Sequence, residues 1–210
     1  MNRSRQEEGF TLVELLVAIV LLGVVGSVVV SAIVTGMSSA RTTTARTMAI
    51  HELEVALQRV GRDLRAADPL YVSDNGSYGT HIGAELIRDR QVQVVAFRVV
   101  NENGGQFLVQ DTATADLSAV GNGTVEIVEQ PRRTLVTNID NGTAPVFTYF
   151  DDYGAEIICT VSGSVTQEEC DLAYSDAYKI GIRLERQLEG QSPVRAETFI
   201  TVRNMRYRSS

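Results

Sequence analysis

The chain opens on nine mixed, mostly polar residues and then turns almost wholly apolar. Residues 15–34 contain no charged side chain and no proline. A helix rises 1.5 Å per residue, so about 20 apolar residues span the ~30 Å hydrocarbon core of a bilayer. The pattern predicts a membrane helix over about 12–34. After Met37 the apolar residues become periodic. Ala45, Ala49, Leu53, Ala56, Leu57, Val60, Leu64 and Ala67 recur at three- and four-residue steps, with Arg46, Glu52, Arg59, Arg62 and Asp63 on other faces. That pattern predicts a helix half-buried against a globular domain. Asp68-Pro69 predicts its end, because the residue before proline is pushed out of the α region. One helix from Leu12 to about Asp68 is expected.

From Leu70 onward the pattern is that of short strands and turns. Asp74-Asn75-Gly76 and the run 101–105 are turn chemistry. Residues 91–100 alternate and then run β-branched, which predicts a strand, with 106–110 as its hairpin partner. Residues 124–129 and 132–139 flank Gln130-Pro131 and read as two further strands. Residues 146–150 and 156–160 flank the turn Asp151-Asp152-Tyr153-Gly154 and read as another hairpin. Residues 178–188 alternate Ile180, Ile182 and Leu184 against Lys179, Arg183 and Glu185, and 197–205 form the last strand. The fold class is α+β: a long N-terminal helix packed on a mainly antiparallel β head.

Composition adds little to this picture, but charge narrows it. The 210 residues suit one modest domain plus a helical stem, and the formal net charge is −7. An acidic chain is a poor phosphate binder, so nucleic acid is not an expected partner. Lys179 is the only lysine among 19 basic residues, which reads as composition bias. Arg41 and Arg46 follow the apolar run, so Arg3 and Arg5 do not orient it clearly by the positive-inside rule. Arg59, Arg62, Asp63 and Arg65 read as a solvated face or, alternatively, as a contact with other subunits.

Catalysis is not expected. His51 falls on the stem and His81 in a loop, and neither belongs to a metal or triad pattern. No G-x-S-x-G signature occurs, and the loop 121–124 lacks the lysine of a P-loop. Asp140, Asn141, Asp151 and Asp152 could offer oxygens to calcium, but their spacing is not that of an EF-hand and turns routinely carry such residues. No metal or other cofactor is expected.

The residue that stands out is Glu14. A carboxylate at mid-membrane costs roughly 2.5–3.5 kcal/mol on insertion scales, so such a residue usually has a partner and a task. It closes the stretch Gly9-Phe10-Thr11-Leu12-Val13-Glu14. A short charged leader ending in glycine, an aromatic residue, and an acid at the fifth position after the glycine, abutting a spanning helix, resemble the class III signal of type IV prepilins and pseudopilins. The resemblance implies cleavage after Gly9 by a prepilin peptidase, N-methylation of Phe10, and a role for Glu14 in subunit assembly. It implies three regions: a leader over 1–9, a helix over 10–68, and a β-rich head over 69–210. It also implies a single-pass protein of the inner membrane, its head outside the cytoplasm, with other pilins and the assembly platform as partners. The segment Arg62-Asp63-Leu64-Arg65 is similar to the stem of minor subunits of the J/W type. In an exported head Cys159 and Cys170 favour a disulfide over two separate thiols.

Overall fold

The computed structural model describes residues 11–67, 70–72, 79–88, 91–102, 104–116, 127–160 and 165–202. The chain divides into two compact units, Met1–Thr47 and Met48–Ser210. Helix α1, Leu12–Arg65, contributes to both. Its part in the first unit has no buried side chain, and the first buried residue is Ala49.

In the second unit a five-stranded antiparallel sheet runs in the order β1 (Leu70–Val72), β2 (His81–Arg88), β3 (Gln91–Glu102), β4 (Gly105–Asp116), β5 (Ile127–Ile139). Each strand pairs with the next, which leaves β5 as one edge. A second antiparallel sheet runs β6 (Phe147–Phe150), β7 (Lys179–Arg186), β8 (Val194–Thr201). Helix α2, Gln167–Ser175, lies between β6 and β7 in the chain.

One core serves the whole unit. The end of α1 supplies Ala49, Leu53, Ala56, Leu57, Val60 and Leu64, and the sheets supply Ile82, Leu86, Phe97, Leu108, Ile180, Ile182, Leu184 and Ile200. On β2 the buried residues Ile82, Ala84 and Leu86 alternate, as a sheet with one covered face requires. Each fully buried leucine or isoleucine contributes about 1.5–3 kcal/mol over exposure.

Two polar side chains join the elements. Glu52 of α1 accepts the Thr137 backbone N–H at 3.2 Å on one oxygen and Arg186 Nη1 at 2.6 Å on the other, so it ties the helix to both sheets. Asn141 is buried just beyond the end of β5. Its Nδ2 donates to the Arg183 carbonyl at 2.8 Å, and its Oδ1 accepts the Glu185 N–H at 2.7 Å. β6 pairs with β7 only as far as Phe147 opposite Ile182. Beyond that point the Asn141 amide completes the ladder that a strand would have supplied.

The sequence expectations hold in outline and shift in detail. The periodic face of α1 is buried as expected, except that Ala45 is exposed. The described helix ends at Arg65, and Asp68-Pro69 lies outside the described residues. The two strands expected on either side of Gln130-Pro131 are one strand, β5. Proline is tolerated there because β5 is an edge and its pairing with β4 shifts register between Gln110 and Thr112. The expected strand 156–160 shrinks to a single bridge from Glu156 to Phe150. Just beyond it Cys159 is bonded to Cys170 of α2, with a Cα–Cα distance of 5.4 Å. Tyr174 holds the same strip: its hydroxyl accepts the Cys159 N–H at 3.0 Å. The last strand begins at Val194, earlier than residue 197, and ends at Thr201. His81 opens β2 instead of lying in a loop. Helix α2 was not expected, although Thr166 and Glu169 form a capping box at its start, the T-x-x-E signature of a helix N-terminus. The glycine loop 121–124 lies outside the described residues.

Replacing Asn141 tests the junction. Asn141→Ala strips partners from two backbone groups, each costing roughly 1–3 kcal/mol when left unsatisfied in the interior. Thermal unfolding of the full chain in mild detergent, followed by circular dichroism, should show a clear loss of stability. Asn141→Asp should also destabilise, since it turns an acceptor toward the Arg183 carbonyl. Wild-type stability in both variants would show that the junction does not depend on this amide.

Candidate assembly site

The first turn of α1 is set by its own sequence. Thr11 Oγ1 accepts the Glu14 backbone N–H at 3.3 Å, and the Thr11 carbonyl accepts the Leu15 N–H at 3.1 Å. Thr11-Leu12-Val13-Glu14 therefore carries the T-x-x-E spacing of a capping box, and its threonine half is formed. That signal is legible in the residues and complements the reading of Glu14 as an assembly group. Glu14 is exposed in the first turn, where a carboxylate also complements the positive end of the helix dipole.

Beyond Glu14 the helix surface is apolar and uncovered. Leu16, Ile19, Val20, Val24, Val28 and Ile33 are all more than half exposed. From Leu12 to Met37 this surface extends about 39 Å at 1.5 Å per residue, and the helix is long and apolar enough to cross a membrane. Several hydroxyls of α1 bond back to its own backbone. Ser27 donates to the Val24 carbonyl at 2.8 Å, and Thr42, Thr43 and Thr47 donate to carbonyls four residues back at 2.9–3.0 Å. Such bonds satisfy hydroxyls where no water is at hand. A Cβ added at Gly23, Gly26 or Gly36 would meet nothing within 4 Å. No contact among the described residues requires these glycines.

Gly9 and Phe10 lie outside the described residues. Residues 4–30 match the family model described as the prokaryotic N-terminal methylation motif. This is a class III, type IV prepilin-like signal. It covers both sides of the Gly9–Phe10 bond, Glu14 and most of the apolar run. No curated protein and no solved structure matches the chain.

Two groups of charges stand out in the second unit. On the sheet, Asp111 is held between Arg98 and Arg132, and Arg132 Nη1 also reaches Glu102 at 3.1 Å. Burial alone would raise the Asp111 carboxyl, but bonds to Arg132 and Arg98 outweigh it and hold the group below the ordinary aspartate value. The pairing with Asp111 raises Arg132 in turn. The second group is a groove of about 520 Å³ between the end of α1 and β5, with Arg59, Arg62, Arg65 and Arg133 in its walls. Burial lowers the Arg59 guanidinium from its ordinary value, and Arg133 adds to the effect.

Of the oxygens considered for calcium, Asp151 Oδ1 accepts the backbone N–H groups of Tyr153 at 2.9 Å and Ala155 at 2.8 Å. Asp140 Oδ1 accepts the Gly142 N–H at 3.3 Å, and Asn141 serves the β7 ladder. These oxygens serve turns and a strand. No cluster of three or more potential metal ligands occurs among the described residues. His51 is exposed on α1.

The Asp111 site carries a pH dependence of known sign. A carboxyl depressed in the folded state adds stability that is fully present above its unfolded value of about 3.9 and is lost as pH falls through the lower, folded value. Unfolding measured from pH 6 down to pH 3 should show acid destabilisation that is weaker in Asp111→Asn, together with lower stability of that variant at pH 6. Parallel pH profiles for the two proteins would remove Asp111 as a contributor.

Proposed function

We propose that the chain is a minor subunit of a type IV pilus or of a secretion or competence pseudopilus. The observation that carries the reading is the methylation motif abutting an apolar helix that no other described residue covers. The work of such a subunit is assembly rather than chemistry. A prepilin peptidase removes residues 1–9, and Gly9 suits the cut because it places no side chain before the scissile bond. The new amine of Phe10 is methylated. Residues 10–68 form the stem, and 69–210 the exposed head. The subunit waits in the inner membrane with its head outside the cytoplasm, then enters a bundle of like helices.

The physics of that transfer assigns Glu14 its role. Lipid tails are as apolar as leucine, so moving the helix from lipid to a bundle offers no hydrophobic gain that would select a register. A charge left unpaired in such a bundle costs several kcal/mol. The Glu14 carboxylate, meeting the terminal ammonium of a neighbour, neutralises both and fixes the axial step. The similarity of residues 62–65 to J/W-type stems supports the minor over the major subunit.

The mass of the mature N-terminus tests the reading. Protein recovered from membranes should begin at Phe10, one methyl heavier, and should keep residues 1–9 when the host's prepilin peptidase is removed. A chain beginning at Met1 in both hosts would overturn the proposal. Glu14→Gln should leave processing intact and reduce recovery in sheared filaments at least about tenfold, as loss of a charge pair worth more than 1.4 kcal/mol requires. Equal recovery would remove Glu14 from assembly.

A further inference from the structure

The groove between α1 and β5 has features that an ordinary solvated face lacks. Arg59, Arg62 and Arg65 recur every three residues, about 4.5 Å apart along the helix axis, and Arg133 faces them from the edge strand. Among the described residues no carboxylate lines the groove. Arg59 donates to Gln110 Oε1 at 2.6 Å, a neutral partner, and Arg62 reaches the buried Asp63 at 3.3 Å. The side chains of Arg65 and Arg133 have no hydrogen bond or ion pair among the described residues. The chain thus gathers four guanidiniums in one concavity while its net charge is −7. Like charges held together this way repel: burial lowers Arg59 first, and Arg133 and Arg62 lower it further while Asp63 opposes them. Such an arrangement is stabilised when an anion arrives.

The lining also says what kind of anion fits. Beside the arginines lie Val55, Ala56 and Leu135, and Val55 is 50% exposed. Among the described residues no aromatic ring lines the groove, so they offer no platform on which a base could stack. The net negative charge of the chain opposes a long polyanion. A short segment with spaced carboxylates and an apolar side chain between them matches both walls. Guanidinium forks bind carboxylates through paired, charge-assisted bonds, and the apolar side chain covers Val55 and Leu135.

We propose that this groove is a docking site for an acidic, partly apolar segment of a neighbouring protein subunit, held by Arg65 and Arg133 with Arg59 and Arg62 in support. The identity of the partner as a fellow subunit rests on the filament reading; the binding chemistry does not. In an assembly of acidic chains, one basic concavity per subunit gives the heads a directional contact. It specifies a neighbour by charge, independently of Glu14 at the other end of the helix.

The test uses the full chain in a zwitterionic detergent and a synthetic hexapeptide alternating glutamate and leucine, with binding read by fluorescence anisotropy. The same peptide with glutamine for glutamate, and an oligothymidylate, serve as comparison probes. Arg65→Gln with Arg133→Gln is the informative variant, since neither side chain holds another described residue. Binding of the acidic peptide at least about tenfold tighter than either comparison probe, and at least about tenfold weaker in the double variant, is expected from the strength of charged hydrogen bonds. The affinity should also fall as salt rises from 50 to 300 mM, roughly as screening shortens from about 14 to 6 Å. Equal binding of the glutamine peptide, tighter binding of the oligothymidylate, no binding of the acidic peptide, or an unchanged affinity in the double variant would each overturn the proposal. The peptide comparison needs only the wild-type chain, so a variant that fails to fold does not block it. An unprocessed N-terminus would defeat the filament reading and leave this measurement standing.

Discussion

The structure depends on a surface that none of the described residues covers. From Leu12 to Met37 the helix presents large aliphatic side chains on every face, and none of them is buried. In water such a surface would carry a cost of about 25 cal/mol for each Å² of apolar area. A soluble protein answers this with a second layer of structure. Here the second layer begins only at Ala49, where the same helix becomes one wall of the head's core. No described residue supplies the missing cover, and lipid or other helices are surfaces of the right chemistry to do so. The back-bonded hydroxyl of Ser27 fits that demand, because it leaves no donor reaching for water.

The end of α1 is used differently. Its buried stripe of alanine, leucine and valine packs among residues from both sheets, and Glu52 bonds to each of them. Asn141 then closes the gap where one sheet ends and the other begins. Helix and head are thus joined by apolar packing and by Glu52, whose partners are a backbone N–H and a guanidinium. A junction of this kind has defined geometry, because each amide or carboxylate bond fixes direction as well as distance.

Much of this was legible in the residues. The change from continuous to periodic apolar spacing after Met37 marks where the helix acquires a partner, and Leu53, Leu57, Val60 and Leu64 name the buried stripe. Ile180, Ile182 and Leu184 name the inner face of β7. The methylation motif was legible because glycine, aromatic and acid stand at fixed spacing. Other elements were hidden for identifiable reasons. β2 contains Gly83 and Ala84 and lacks β-branched residues apart from Ile82 and Ile87, so its alternation is faint. β5 contains proline, which argues for a break unless the strand is known to be an edge. Helix α2 is short and has little periodicity, and only its cap gives it away.

The arginine groove belongs to a third category, visible neither as a motif nor as periodicity. Arg59, Arg62 and Arg65 are neighbours in the chain and read as an ordinary charged face. Their meaning changes only when Arg133, far away in sequence, is placed on the opposite wall by the edge position of β5. Edge strands commonly carry charge and proline to discourage pairing with other chains. β5 carries Pro131, Arg132 and Arg133 in succession, yet Arg132 is neutralised by Asp111 and Glu102 while Arg133 is left facing three more guanidiniums. If repelling a partner strand were the whole requirement, either arginine would serve equally. The difference between them separates a residue that closes the head's own electrostatics from one that leaves them open, and it is the open one that borders an apolar surface.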